Sequence, residues 1–117
     1  MATPELVSLT KIWDAAPHNA FTDLLRFGDG WLCTFREAES HGHCPATIRV
    51  LRSADGDSWS SAAEIEEAGV DLRDPKLSVT PAGRVMLLTS ANFFAPDGRY
   101  RTRSPRVAFS DDATNWT

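Results

Sequence analysis

Three carboxylates and five basic side chains are the residues of this chain whose types could do chemistry: Asp23, Glu37 and Asp74, with Arg36, His41, His43, Arg73 and Lys76. One carboxyl that donates a proton while another acts as base or nucleophile is the chemistry of glycoside cleavage, and cations at the same mouth would hold the substrate. His41 and His43 flank Gly42, where a titrating imidazole could serve as acid or base near neutral pH. Each of these residues also has a plainer reading. Asp23 and Asp74, taken to occupy equivalent places in two repeats, could cap strands by accepting backbone N–H groups. Arg36 could be an ion-pair partner of Glu37 or Asp23, Arg73 and Lys76 a solvated pair at a strand entrance, and the histidines solvated loop residues. His41, His43 and Cys44 offer metal-ligand types close together, but a fourth ligand at a recognised spacing is missing, so no metal is assigned.

The elements that must position these residues are organised around a repeated turn. Ser53-Ala54-Asp55-Gly56-Asp57-Ser58-Trp59 is matched by Ser110-Asp111-Asp112-Ala113-Thr114-Asn115-Trp116, with Asp two positions and Trp six positions after the Ser in both. An Asp that accepts from backbone N–H groups of its own turn, followed by a large apolar plug, predicts a tight hairpin turn in each copy. Alternation of apolar and polar residues then predicts strands at 21–27, 31–36, 47–52 and about 60–66 in a first unit spanning 18–68. The fourth of these competes with a helix over Ser61–Ala68, whose Ala and Glu residues favour one; the repeat favours the strand. A second unit, 69–117, repeats the order with strands at 74–79, 85–89 and 105–109 and a long loop from Ser90 to Ser104, and lacks a fourth strand. Residues 1–14 hold one spare strand, Leu6 to Trp13, without a hairpin partner.

This pattern resembles the Asp-box, or BNR, repeat of the sialidase-like β-propellers, Ser/Thr-x-Asp-x-Gly-x-x-Trp, with Ala113 standing where the second box would have Gly. The phrases Phe21-Thr22-Asp23-Leu24, Phe35-Arg36-Glu37, Arg49-Val50-Leu51-Arg52-Ser53 and Asp71-Leu72-Arg73-Asp74-Pro75-Lys76-Leu77 resemble the first two blades of bacterial proteins called exo-α-sialidases or glycoside hydrolases. The resemblance implies an all-β fold of four-stranded propeller blades, with Ser53, Asp55, Gly56, Trp59, Ser110, Asp112 and Trp116 as structural turn residues on the face away from the active site. It implies a mouth where His18, Asn19, Thr22, Asp23, Arg36, Glu37, His41 and His43 converge, joined by Arg73, Asp74 and Lys76. In true sialidases the first strand opens with an Arg that binds the substrate carboxylate. Here that place reads Phe21-Thr22-Asp23-Leu24, so classical sialidase turnover by this chain is not expected, although Arg36 matches the arginine ending the family's second strand.

Two functions follow as expectations: a propeller piece derived from a carbohydrate-active, glycoside hydrolase-like protein, or a non-enzymatic propeller module that assembles with itself and binds glycan or protein. A net charge of −4 argues against a nucleic-acid or anionic-membrane partner. Without an apolar run of about 18 residues or a signal-peptide pattern, the reading is a cytoplasmic chain or a piece of something longer. Cys33 and Cys44 are expected reduced, and nothing in the sequence calls for a cofactor. Two blades cannot close a ring. The spare strand, donated to the second unit of the next copy, would close three copies head to tail into a homotrimer of about six blades.

Overall fold

The computed structural model describes residues 1–117 and is all-β. Seven strands run β1 (His18–Phe27), β2 (Gly30–Ala38), β3 (Thr47–Ser53), β4 (Ser60–Ile65), β5 (Asp71–Val79), β6 (Val85–Phe94) and β7 (Tyr100–Ser110). They form one antiparallel sheet in the order β1-β2-β3-β4 and another in the order β5-β6-β7. The strand over 60–65 wins against the helix because its residues ladder onto β3, Ile48 facing Ile65 and Arg52 facing Ser60.

Each strand alternates between two environments. On β2, Leu32 faces the second sheet and joins Ile48, Val50, Leu72, Leu77, Val85, Leu87 and Ala91 in the buried core between the sheets. Cys33 and Phe35 point the other way and pack with Leu51, Trp13 and Trp59. The sheets are also stitched by backbone. Ala46 N–H donates to Val70 O at 3.1 Å and Leu72 N–H donates to Ala46 O at 3.4 Å, a parallel bridge to Asp71 at the start of β5.

The two repeated turns are built alike. Asp55 Oδ1 accepts from the N–H groups of Asp57 and Ser58, both at 2.9 Å, and Ser53 Oγ accepts from Gly56 N–H at 2.8 Å. Asp112 Oδ1 accepts from Thr114 at 2.9 Å and Asn115 at 2.8 Å, and Ser110 Oγ accepts from Ala113 N–H at 2.8 Å. Trp59 and Trp116 each donate Nε1–H back to the carbonyl of the residue three before, at 3.0 Å. That residue is Gly56 at φ 85° in one turn and Ala113 at φ 64° in the other. A left-handed alanine costs about 1 kcal/mol; the Ala113 methyl, fully buried in the core between the sheets, offsets a comparable amount. The near balance explains why alanine is tolerated there. After the second turn, Thr117 and Phe109 exchange two backbone hydrogen bonds at 3.0 Å, as the register of Arg52 with Ser60 continues the first.

Several expectations change. Ser90–Ser104 is not a long loop: β6 continues to Phe94 and β7 starts at Tyr100, joined by a short turn in which Gly98 N–H donates to Ala95 O. β1 begins at His18 and β5 at Asp71, each with an irregular step, between Ala20 and Asp23 in β1 and between Arg73 and Lys76 in β5. The two steps fall at equivalent places, so the sheets stay in correspondence through them and Asp23 matches Lys76. Ala20 lies opposite Arg36 and Arg73 opposite Ser90, so Asp74 (φ 52°) matches Phe21 (φ 62°), not Asp23. Residues 1–15 form no strand within the chain, and Leu6, Val7 and Leu9 stand in solvent.

The turn geometry sets a pH response. Asp55 sits below its ordinary value because the N–H groups of Ser58 and Asp57 and the hydroxyl of Ser53 favour its charged form; Asp112 is lowered by the Asn115 N–H first, then the Asn115 side chain, the Thr114 N–H and Ser110. A carboxylate depressed in the folded state adds stability that is complete above its unfolded value, 3.8, and is lost as pH falls below it. Asp55→Asn and Asp112→Asn should therefore flatten the loss of melting temperature on acidification below that value, measured by thermal melts across pH. Trp59→Ala should cost about 2 kcal/mol, less than a fully buried tryptophan because Trp59 is half-exposed.

Candidate functional site

The end of the molecule carrying the β2–β3 loop (residues 39–46), the starts of β1 and β5 and the β6–β7 turn holds a buried ion cluster. Arg36 leaves β2 toward the second sheet and is completely buried, as is Asp71 at the start of β5. Asp71 Oδ1 accepts from Arg36 Nε at 2.9 Å, and Oδ2 accepts from Arg73 Nε at 2.7 Å and from His43 Nδ1 at 3.0 Å. A guanidinium has five N–H donors, and Arg36 finds a partner for each. Beyond Asp71, Nη1 reaches His18 Nδ1 at 3.3 Å and Ser40 O at 2.9 Å, and Nη2 reaches Gly42 O at 3.1 Å and Cys44 Sγ at 3.8 Å. Arg73 Nη2 adds His41 O at 2.6 Å and Gly42 O at 2.9 Å. The two arginines thus clamp the β2–β3 loop by its carbonyls.

Above the clamp lies a rim of rings. His18 and His41 meet edge to face at 5.3 Å between centroids, and Phe21 stands 5.7 Å from His41. His43 stacks on Phe94 at 6.5 Å and tilts against Tyr100 at 5.6 Å. His18 is held below its ordinary value by desolvation first, then by the charge of Arg36, His41 and Arg73.

Of the residues singled out in the sequence, Arg36, His41, His43 and Arg73 come together, with His18. The carboxylates do not join them. Asp23 Oδ2 accepts from Leu77 N–H at 2.8 Å and ties β1 to β5, which is the strand-capping role. Glu37, next to Arg36 on an alternating strand, points to the opposite face, where it accepts from Arg49 Nε and, at 3.2 Å, from Trp13 Nε1. Asp74 lines an open cleft with Ser90, Arg103, Ser104 and Pro105, and Lys76 is exposed opposite Leu88. A paired-carboxylate engine is therefore not assembled: the three acids occupy three different surroundings. The residue missed in the sequence is Asp71. Its signal was its place beside Arg73 two residues on, the spacing that lets both side chains leave one face of a strand.

The two cysteines are free and differ in surroundings. Burial, and then the charge of Asp23, push the Cys33 thiol up to about 11. No known protein family, curated protein or solved structure matches the chain.

Two measurements follow. Arg36→Met should cost about 3–5 kcal/mol, because it leaves the buried Asp71 short of a charge partner, while a double Arg36→Met, Asp71→Leu variant should cost less than the single; urea melts compare them. Iodoacetamide at mildly alkaline pH should label Cys44 in the native chain and reach Cys33 only after unfolding.

Proposed function

We propose that the chain is a sialidase-type β-propeller piece, derived from a carbohydrate-active protein, that binds glycan at the ring-lined rim and does not carry out sialidase turnover by itself. The observation that carries this reading is the rim: imidazole and phenyl rings from four separate segments, gathered over a clamp that holds the β2–β3 loop. Exposed aromatic faces beside a few fixed polar groups are how proteins commonly seat the apolar faces and hydroxyls of sugars. The paired Ser-x-Asp turns supply the likeness to the Asp-box propellers, and the sheets of four and three antiparallel strands suit blades of that type. Turnover is argued against by Arg36, the arginine that resembles the family's site arginine. Each of its N–H groups already has a partner within the protein, so it has none to give a substrate carboxylate.

A second reading, a self-assembling module, is favoured by two unpartnered elements. The outer edge of β7 carries no strand beyond the Phe109–Thr117 pair, and the segment preceding Lys11 exposes Leu6, Val7 and Leu9. Donation of that segment to β7 of the next copy would close a trimer. Trp13, bonded to Glu37 and lying 5.3 Å from the Arg49 guanidinium, anchors the segment's end on its own first sheet, so residues 2–10 are the part free to be donated.

A glycan array read beside a fluorogenic sialoside assay tests the first reading: glycan capture without released fluorophore is expected, and measurable sialoside cleavage would refute it. Light scattering tests the second. A mass near three times 12.9 kDa that falls on deletion of residues 1–13 supports exchange, and a well-folded monomer ends it.

A further inference from the structure

A neutral imidazole has one N–H donor and one lone-pair acceptor, and its neighbours decide which nitrogen is which. The cluster below the rim makes that choice for two histidines, in opposite senses. Both oxygens of Asp71 already accept guanidinium N–H groups, so its third partner, His43 Nδ1 at 3.0 Å, must donate. His43 Nε2 is then a bare acceptor. Arg36 has only hydrogens to offer, so His18 Nδ1, 3.3 Å from Arg36 Nη1, must accept. His18 Nε2 therefore carries the hydrogen. Desolvation first, and then the charge of Arg36, His41 and Arg73, disfavour a second proton on His18.

The charges that would attract an acid are spent. Arg36 is fully engaged and buried, and Arg73 is divided between Asp71 and the His41 and Gly42 carbonyls. What the rim offers outward is the His43 ring acceptor, the His18 ring donor, the exposed His41 ring with no hydrogen-bond partner of its own, and the faces of Phe94 and Tyr100, the latter half exposed. A neutral hydroxyl both donates and accepts, so a polyol satisfies such a pair, whereas a carboxylate can only accept and would meet the His43 lone pair unfavourably.

Resting on the glycan-binding reading, we infer that the rim selects a neutral sugar over an acidic one, with His43 Nε2 accepting from one hydroxyl, His18 Nε2–H donating to another, and Phe94 and Tyr100 stacking on the sugar ring. The specificity is thus set from below, by Arg36 and Asp71 fixing tautomers, and not by a cation at the surface. Arg101, exposed on β7 and paired to no carboxylate, serves as a control outside the two ring nitrogens.

The test is nitrogen NMR of the isotopically labelled full chain at mildly alkaline pH, first free and then titrated with lactose, maltotriose and 3′-sialyllactose. Expected are a proton on Nδ1 of His43 and on Nε2 of His18, ring shifts of both on adding a neutral sugar, and weaker binding of the sialylated one. His43→Asn retains an amide donor for Asp71 while removing the Nε2 acceptor, so it should fold with its melting temperature nearly kept and bind the neutral sugar about tenfold more weakly. Arg101→Ala should bind it unchanged. Opposite tautomers, tighter binding of 3′-sialyllactose, or unchanged affinity in His43→Asn would overturn the inference while leaving glycan binding standing. If no sugar of either kind moves any ring resonance, the glycan reading falls and this inference with it.

Discussion

The structure depends on one buried carboxylate. Asp71 is fully excluded from water and receives N–H groups from Arg36 on β2, Arg73 on its own strand and His43 on the intervening loop. A charge in that position is tolerable only when its partners supply hydrogen bonds as well as charge. Those partners come from β2 and the β2–β3 loop of the first sheet and from β5 of the second, so satisfying Asp71 fixes the distance between sheets at this end of the molecule. The apolar core from Leu32 to Ala91 supplies the attraction between the sheets; it is non-directional, and the ion cluster supplies the register.

Positioning at the rim follows from the same constraint. The β2–β3 loop has no regular hydrogen-bonded ladder over residues 39–45, yet its carbonyls at Ser40, His41 and Gly42 are each held by a guanidinium. A loop fixed by its backbone carries His41 and His43 in defined places and loses less freedom when a ligand arrives. An arginine whose hydrogens are all engaged within the protein holds the loop and leaves no donor for an anion. Here the cations face inward.

Much of the fold was legible because it rests on patterns of period two and on turn chemistry. The Ser-x-Asp spacing foretold both turns, and the repeat settled 60–65 as strand against its helical composition, since β3 needed a partner there. The N-terminal strand was not formed: residues 1–15 ladder onto no strand, and Trp13 is held against Glu37 and Arg49 on the first sheet, away from the open edge of β7. β6 was read short because Ser90, Ala91 and Asn92 are poor strand formers; burial of Ala91 and the hydrogen bond from Asn92 Nδ2 to Asp71 O override that. The site was half legible. Alternation alone separates Glu37 from Arg36, and the supposed match of Asp23 with Asp74 fails because the ladders place Lys76, not Asp74, at the position equivalent to Asp23. Asp71 escaped because its one local mark is Arg73 two residues on, while its other partners, Arg36 and His43, lie up to 35 residues away.

Hydrogen exchange of backbone amides in Asp71→Asn tests the central claim most directly, since the amide presents a donor to groups that are themselves donors. Protection at the start of β5 and in the Ala46–Val70 and Leu72–Ala46 bonds between the sheets should be lost together, while the β1–β2 ladder keeps its own. An exchange pattern indistinguishable from that of the unchanged chain would contradict the account.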